Sequence, residues 1–354
     1  MIPDNPQRIL IIKPSALGDV VTAVPVLRGL RRRFPNSHIS WLVATSCADL
    51  IRHDGDLNDV ILFDRKTSGT FGVAGVRALA RLRGQLRAGR FDWVIDLQGL
   101  FRSGWFSWLT GAKRRAGFAD AREGATFFYT HKFMPTAQHT VDRNIELARS
   151  LHIDATPADF TLQIAPPAKE SAANLLARLG VATKSFIVCV PPTRWPTKVY
   201  PPRHWQAVIR ELAPRTPIIV LGSPADVALC SQACGESVQS NISGANVPHV
   251  HNLAGQTSVS EMVALIAASR GVICSDSAAK FIAPAVGVPV VALLGPTRVE
   301  RTGVYTPGPH VRAVNLTAQV PCQGCLRRQC NHAACMQSIS STHVVESAKQ
   351  TFDL

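Results

Sequence analysis

Short apolar segments alternate with helical segments along this chain of 354 residues, beginning close to the N-terminus. Residues 8–13 are largely apolar, a turn follows, and a helical pattern runs from Asp19 to about Arg33. The apolar residues are continuous rather than alternating, which is typical of strands buried on both faces. Since parallel strands are joined by helices that cover the sheet, the pattern predicts an α/β fold with parallel sheets.

The alternation stops near residue 165 and then starts again. The segment 164–169 holds two prolines, interrupts the periodicity and is predicted to be a linker. The predicted strands are 8–13, 38–44, 60–63, 92–98, 186–190, 217–222, 271–275 and 288–294. The other predicted helices include 139–151, 205–213, 225–235 and 259–268. We therefore predict two Rossmann-like, doubly wound domains that face each other across a cleft.

The predicted domains are residues 1–168 and 169–335, and a C-terminal helical segment, 336–354, is expected to pack back on the first domain. A composition that is 46% hydrophobic and 18% charged supports well-formed cores. The N-terminus lacks a basic stretch followed by an apolar one, so no secretory signal is predicted. The apolar run 281–295 is shorter than the ~20 residues of a spanning helix. We expect a cytoplasmic protein.

The net charge of +14 divides equally between the parts before and after residue 168, at +7 each. Such a basic protein suits acidic partners, for example a phosphorylated glycolipid, an anionic membrane surface or nucleic acid. Arginines are concentrated on two predicted helices, at positions 31–33 and at Arg77, Arg81, Arg83, Arg87 and Arg90. Two interpretations stay open, since these can be solvated helix faces or a patch that docks on a membrane.

The turn after the first strand reads Lys13-Pro-Ser-Ala-Leu-Gly-Asp19. The Gly-x-Gly-x-x-Gly motif of dinucleotide-binding domains does not follow the first strand, and the Gly-x4-Gly-Lys-Ser/Thr motif of a P-loop occurs nowhere in the chain. The sequence therefore gives little support to a dehydrogenase or a P-loop enzyme. An aspartate at the start of a helix is most often an N-cap, so capping is one interpretation of Asp19. Its place at the carboxyl end of the first strand also suits a catalytic role.

A set of motifs in fixed order resembles glycosyltransferase family nine, whose bacterial heptosyltransferases build the inner core of lipopolysaccharide. The opening signature is Lys-x-Ser-x-x-Gly-Asp-Val at Lys13 to Val20. The further motifs are Asp96-Leu-Gln-Gly-Leu100, Arg102-Ser103, Asp120-Ala-Arg-Glu123, Gln138-His139, Pro192-Thr-Arg194, Lys198, His204-Trp205, Asn252-Leu-Ala-Gly255, Asp276-Ser277, Gly287-Val-Pro-Val-Val-Ala-Leu-Leu-Gly-Pro-Thr297 and Cys322-x2-Cys325-x4-Cys330. The resemblance covers nearly the whole chain.

The resemblance implies a GT-B fold and an inverting transfer from a nucleotide-activated sugar, most simply ADP-heptose, to a Kdo or heptose unit on a phosphorylated lipid precursor. The first domain would then bind the acceptor and the second the donor, and the protein would be cytoplasmic with peripheral contact to the inner face of the cytoplasmic membrane. The acceptor-binding candidates are Lys13, Ser15, Gln98 and Arg122, with the helix arginines beside them. An inverting transfer needs a base for the acceptor hydroxyl, and Asp19 is the candidate.

A transfer without a metal or other cofactor needs cations and amides around the leaving diphosphate. Lys198, Arg194 and Thr193 are the candidates, with Lys198 counted as catalytic. The amides of Ser277 and Ala278 are expected to open a helix that faces the phosphates. The resemblance assigns Asp276 to the sugar hydroxyls and Asp226 to the ribose. From sequence alone, Asp276 is equally an N-cap and Asp226 a solvated helix residue.

The chain departs from the family pattern near Asp276. The family commonly has glycine two positions after this aspartate and histidine five positions after it, whereas this chain has Ala278 and Phe281, and it gains Lys280. Arg298 stands where the family usually has aspartate. The identity of the donor is therefore open, and another nucleotide sugar, used for a different surface glycan, is the alternative.

Four cysteines at short spacing, Cys322, Cys325, Cys330 and Cys335, have two interpretations. Four thiolates can close a structural zinc site, but a second Cys-x2-Cys pair is lacking, so reduced thiols packed in a loop are favoured and no metal is assigned. Zinc together with the net charge of +14 leaves a third class of function, a nucleic-acid-binding protein. No recognisable nucleic-acid-binding motif supports it, so nucleic acid is not an expected partner.

Overall fold

The structure, a computed structural model, describes residues 5–64, 73–235 and 250–354. The chain divides into two compact units, Met1–Gln163 and Ile164–Leu354. Each unit is built on a six-stranded sheet in which all neighbouring strands are parallel. The predicted α/β class with two Rossmann-like, parallel-sheet domains is confirmed.

The N-terminal unit has strand order β3-β2-β1-β4-β5-β6. Its strands are β1 Arg8–Ile12, β2 His38–Ala44, β3 Asp59–Phe63, β4 Trp93–Asp96, β5 Arg114–Phe118 and β6 His131–Phe133. Its helices are α1 Leu17–Thr22, α2 Val24–Arg33, α3 Val73–Ala88, α4 Phe101–Leu109 and α5 Thr140–Ser150. The strand order changes direction between β1 and β4, and such a switch point opens a crevice at the carboxyl ends of its strands.

Both faces of the central strand β1 are covered, as its continuous apolar sequence predicts. Leu10 and Ile12 belong to a buried cluster that includes Leu82 and Leu86 of α3 and Phe106 of α4. Their neighbours in β1 point to the opposite face, because a strand has a two-residue period, and they are fully buried as well. The sheet is therefore a layer between two sets of helices.

The C-terminal unit repeats this plan with strand order β12-β11-β10-β7-β8-β9. Its strands are β7 Ile187–Val190, β8 Ile218–Val220, β9 Val250–Asn252, β10 Gly271–Ser275, β11 Val290–Leu294 and β12 Ala313–Thr317. Its helices are α6 Pro166–Arg178, α7 Pro202–Leu212, α8 Val227–Cys234, α9 Val259–Ala268, α10 Ala279–Ala285, α11 Val299–Thr302, α12 Ala334–Gln337 and α13 Ser341–Phe352. The switch point of this sheet lies between β7 and β10.

The proline-rich segment 164–169 and the C-terminal helix both belong to the second unit. The units meet between Gln163 and Ile164, and the proline-rich segment begins α6 rather than forming a linker, because proline is well tolerated in the first turn of a helix. Helix α13 packs on strands β10, β11 and β12 of the C-terminal sheet. Its apolar residues Val344, Ala348 and Phe352 complete the core of its own unit.

The helix predicted from Asp19 to Arg33 is two helices, α1 and α2, separated at Ala23. Pro25 is the second residue of α2 and cannot continue the hydrogen bonds of α1. Within the described residues, no helix is both long enough and apolar enough to cross a bilayer.

Candidate functional site

The switch point of the N-terminal sheet holds a buried lysine. Lys13 follows β1, is 4% exposed, and its Nζ donates a hydrogen bond of 2.5 Å to the carbonyl oxygen of Leu97, which follows β4. Burial lowers the pKa of the Lys13 ammonium, while the charges of Asp19 and Asp96 oppose that shift. Lys13 thus fastens the loop after β1 to the loop after β4 and places a cation beside the candidate base.

The loop after β4 is held by the buried carboxylate of Asp96. One oxygen, Oδ1, accepts the backbone N–H groups of Gln98 at 2.9 Å and Gly99 at 3.3 Å. The other, Oδ2, accepts the Tyr129 hydroxyl at 2.6 Å. Burial raises the pKa of Asp96, although these hydrogen bonds act in the opposite direction. Asp96 therefore fixes the turn that carries Gln98.

Asp19 caps its helix, but from a position other than the one predicted. The N-cap of α1 is Ala16, and Asp19 is the third residue of the helix. Its Oδ2 accepts the Ala16 backbone N–H at 2.8 Å, while the structure gives its Oδ1 no donor among the described residues. Since Asp19 is only half-buried, the second oxygen is free for another partner. Capping by one oxygen and proton transfer by the other are compatible.

The other acceptor-binding candidates lie on the same rim. Ser15 is half-buried in the turn before α1, and the Gln98 Oε1 is buried without a hydrogen-bond partner in the described part of the chain. Arg122 has an exposed side chain, and its backbone N–H donates to the Gly99 carbonyl at 2.9 Å. The four candidates thus come from loops after β1, β4 and β5 at one edge of the sheet.

The switch point of the C-terminal sheet holds a buried carboxylate, Asp276, immediately after β10. Its Oδ2 lies 3.0 Å from the Nζ of Lys198, from the loop after β7. Its Oδ1 pairs with the Nζ of Lys280, and the Thr297 hydroxyl donates to Oδ2. Asp276 is not a helix N-cap, since α10 is capped by Ala278. We call Asp276, Lys198, Lys280 and Thr297 the Asp276 cluster.

The Asp276 cluster carries a net positive charge, with two ammonium groups around one carboxylate. Burial raises the pKa of Asp276, but Lys280 and Lys198 together with the hydrogen bonds outweigh it, so the pKa lies below its ordinary value. Lys280 is only 3% exposed, so water screens its charge weakly. A preorganised positive site of this kind favours an anion at the edge of the sheet.

The loop after β7 is tied to the same place. The Thr193 hydroxyl donates to the backbone carbonyl of Asp276 at 3.0 Å. The Nζ of Lys198 lies 4.3 Å from the ring centre of Trp195, and the guanidinium of Arg328 lies 4.7 Å from it. Arg194 is exposed. Thr193 and Lys198 therefore both contact Asp276, whereas the structure shows for Arg194 only an exposed side chain.

The remaining donor-binding candidates are Ser277, Asp226 and Ala278. The Ser277 backbone N–H donates to the Ser275 carbonyl at 2.6 Å, so that amide already has a partner. Both of these serines have a buried hydroxyl without a partner among the described residues. The Asp226 carboxylate accepts the Ser223 N–H at 2.9 Å and its hydroxyl at 2.5 Å, closing the turn before α8. The last candidate, Ala278, is the N-cap residue of α10.

Comparison with known proteins identifies the family. The profile of "Glycosyltransferase family 9 (heptosyltransferase)" matches residues 79–335, well over half of the chain. The chain belongs to glycosyltransferase family 9. Lipopolysaccharide heptosyltransferase 1 of Pseudomonas aeruginosa is 26% identical over 337 residues, which are 92% of this chain and 88% of that protein. The family 9 protein is thus a glycosyltransferase, as its motifs indicate.

Solved structures show the fold of this family 9 enzyme to be GT-B. A family 9 glycosyltransferase from Veillonella parvula has a TM-score of 0.78 at 19% identity, covering 99% of this chain and 98% of that one. An Escherichia coli heptosyltransferase with ADP-2-deoxy-2-fluoro heptose has a TM-score of 0.72 at 22% identity, covering 97% of this chain and 99% of that one. The predicted fold class is confirmed.

The roles of several residues at the two sites are not evident from the sequence. Lys280 is a departure from the family pattern, but its pairing with Asp276 was not predicted. The two residues are four positions apart, and this spacing is a usable signal because it brings side chains together along a helix. Thr297 ends a recognised motif without a role having been assigned to it. Tyr129 lies 33 residues from Asp96 in sequence, so no local pattern could connect them.

The four cysteines of the C-terminal loop have free thiols. Cys335 is buried, and burial raises its pKa, with further contributions from Cys322, Cys325 and Cys330. Cys325 is exposed. In the part of the chain that the structure describes, no group of three or more His, Cys, Asp or Glu side chains is arranged to hold a metal ion.

The position of Lys198 leads to a first prediction. We expect Lys198→Ala to lower turnover at saturating donor by about 100-fold, because loss of one charge aimed at a developing anion costs on the order of 3 kcal/mol in the transition state. The exposed Lys169 provides the matched control, and Lys169→Ala should leave turnover unchanged. Steady-state kinetics on both variants measures this, and wild-type turnover in Lys198→Ala would make Lys198 a structural partner of Asp276 only.

Proposed function

We propose that this family 9 enzyme transfers a heptose, with inversion, from ADP-heptose to a Kdo or heptose unit of a lipid A precursor, and that it does so without a metal. The observation that carries the proposal is the Asp276 cluster, which sets two ammonium groups and a carboxylate at the switch point of the second sheet. A carboxylate among cations suits a ligand that joins sugar hydroxyls to a diphosphate. The heptose derivative bound to the Escherichia coli enzyme supports the choice of donor.

The leaving group would be stabilised by the chain itself. As the glycosidic bond breaks, negative charge develops on the diphosphate, and Lys198 with Lys280 supplies positive charge within the same cluster. Asp276 would accept hydrogen bonds from the sugar hydroxyls while keeping the two ammonium groups in place. Arg194, Asp226, Ser277 and Ala278 are proposed to complete the donor site.

The attacking group would be activated in the N-terminal unit. An acceptor hydroxyl must lose a proton as its oxygen attacks the anomeric carbon, and the free Oδ1 of Asp19 is the proposed base. The hydrogen bond from Ala16 to Oδ2 holds the carboxylate in a fixed orientation. Lys13, Ser15, Gln98 and Arg122 are proposed to bind the acceptor, and its phosphates suit the basic character of this unit.

A second donor remains a candidate because of two observations. Lys280 lies in the segment where this chain departs from the usual family pattern, and its ammonium group pairs with the Asp276 carboxylate. Arg298, where the family usually has aspartate, follows the buried Thr297 in sequence, and its Nε donates to the Gly324 carbonyl at 3.4 Å. A different nucleotide sugar, for a different surface glycan, would use the same chemistry. A nucleic-acid-binding role has no corresponding observation.

The nature of the donor is tested by the stability of the protein with nucleotides. A ligand at 100 times its Kd raises the free energy of unfolding by about 2.7 kcal/mol. In a thermal-shift series with ADP, UDP and GDP and their sugar conjugates, we expect ADP and ADP-heptose to raise the melting temperature most. A larger shift with UDP or GDP would contradict ADP-heptose as the donor and favour the alternative nucleotide sugar. A larger shift with an oligonucleotide would contradict the proposal that this site binds a nucleotide sugar.

A further inference from the structure

One outer surface of the N-terminal unit is formed by α3, α4 and the 3-10 turn Ala125–Phe128, and we call it the α3–α4 surface. Helix α3 contacts α4, and α4 contacts the turn. Leu82 and Leu86 of α3 and Phe106 and Leu109 of α4 belong to one buried cluster. The opposite sides of both helices therefore point outward and form one continuous surface.

The α3–α4 surface is strongly basic. Residues 73–128 contain ten Arg or Lys against four Asp or Glu, and of the four, Asp120 pairs with Arg143. Asp96 is buried, and the Oδ2 of Asp92 accepts the backbone N–H groups of Gln7 and Arg8. Glu123 at the margin accepts the N–H of Phe101 at 3.3 Å. The exposed basic side chains of the two helices are Arg77, Arg81, Arg83, Arg87 and Arg102. Their charge is thus largely uncompensated locally.

The same surface exposes large apolar side chains. Eight large hydrophobic residues are exposed in the described chain, and six of them lie between Leu62 and Met134. Four are on the α3–α4 surface, with exposed fractions of 69% for Val76, 51% for Phe101, 51% for Trp108 and 87% for Phe127. Exposed aromatic residues gathered on one surface usually mark an interaction site.

We infer that the α3–α4 surface docks on a bilayer that contains anionic phospholipids. Arginines next to an anionic surface are attracted to its headgroups, and Trp and Phe favour the boundary between headgroups and acyl chains. A bilayer uses both features at once, whereas a nucleic acid would leave Phe127 and Val76 without a matching partner. The inference rests on the proposed function in one respect, because a lipid-linked acceptor has to be reached at a membrane.

Vesicle co-sedimentation of the complete protein, without donor or acceptor, tests the inference separately from the proposed function. One set of vesicles contains phosphatidylcholine with roughly one-third phosphatidylglycerol, and the other contains phosphatidylcholine alone. We expect binding to the anionic vesicles that weakens as salt is raised. Equal binding to both sets, or binding to neither, would overturn the inference whatever the donor proves to be.

Two charge-reversed variants locate the surface. Arg77→Glu/Arg81→Glu/Arg83→Glu should weaken binding to anionic vesicles by about 100-fold, since each arginine at the surface contributes about a factor of five. The exposed Arg178, Arg210 and Arg215 of the C-terminal unit provide a control with the same change in net charge, and their reversal should change binding less than about threefold. Equal losses in the two triple variants would mean that net charge alone drives binding, which contradicts a defined surface.

A separate variant tests how much the exposed aromatic side chains contribute to vesicle binding. Trp108→Ser/Phe127→Ser keeps every charge and should weaken vesicle binding by about 10-fold or more, because two exposed aromatic side chains no longer enter the bilayer. Both positions are exposed, so the melting temperature should stay close to that of the wild type. Unchanged vesicle binding by this variant would refute the bilayer as the partner. An arginine variant that still binds vesicles but has lost binding to an oligonucleotide would refute it as well.

Discussion

Asp19→Asn is expected to lower turnover by ~10²–10⁴-fold when both substrates are saturating, which is the usual contribution of a general base. The carboxamide has nearly the same shape, and its oxygen can still accept the Ala16 N–H, so the melting temperature should hardly change. Donor affinity should also be retained, because the proposed donor residues belong to the other unit. Melting temperature, nucleotide affinity and saturated turnover measured on one preparation check the three expectations together.

Asp19→Ala separates capping from catalysis. Alanine removes the accepting oxygen as well as the charge, so the free energy of unfolding should fall by roughly 1 kcal/mol in addition to the loss of turnover. If Asp19 only caps α1, Asp19→Asn should be stable and active and Asp19→Ala should be less stable but active. Active Asp19→Asn enzyme would therefore remove Asp19 as the base.

Asp276→Asn should lower the free energy of unfolding by about 3–5 kcal/mol, because removal of one partner leaves uncompensated buried charge. Lys280 and Asp276 are nearly inaccessible to solvent, and Lys198 has a side chain that is 14% exposed. Asp226→Asn is the matched control, since that carboxylate closes a turn at a more accessible position and its loss should cost about 1 kcal/mol. Denaturant unfolding measures both values.

The pairing in the Asp276 cluster can be tested by a second change and by pH. Lys280→Met in the Asp276→Asn background should recover part of the lost stability, because it removes a buried cation that has no counter-charge.

The ion pairs also predict a pH dependence. The pKa of Asp276 is lowered in the folded state, so its contribution to the free energy of unfolding is present above the ordinary Asp value of about 3.9 and disappears as the pH falls through the lowered pKa. A constant difference between wild type and variant down to low pH would contradict the ion pairs.

The central strands of both sheets could be predicted because their sequences are unusually uniform. β1, β2, β10 and β11 are almost entirely apolar, which is the pattern of strands covered on both faces. Strands β5, β6, β9 and β12 were not predicted, since β5 begins with two arginines, β6 and β9 have three residues each, and β12 is only partly buried. Short or polar strands are formed by pairing with a neighbour, which no local pattern reveals.

The candidate sites could be predicted where the chain itself marks the end of a strand. Asp19, Lys198 and Asp276 were selected from motifs and lie at or beside the two switch points. The partners that give these residues their properties come from distant parts of the chain. Thr297 approaches Asp276 from the loop after β11, and Tyr129 approaches Asp96 from the turn before β6. Such contacts depend on tertiary packing.

Sugar transfer by the purified enzyme, followed by mass spectrometry with ADP-heptose and a Kdo-bearing lipid A precursor, tests the central proposal most directly. The reaction is run with and without an excess of EDTA. We predict release of ADP and an acceptor heavier by one heptosyl unit, at the same rate in both conditions, because the proposed mechanism assigns to Lys198 and Lys280 the charge stabilisation that a metal would otherwise supply. Transfer that occurs only from another nucleotide sugar, or that stops with EDTA while the protein stays folded, would contradict it.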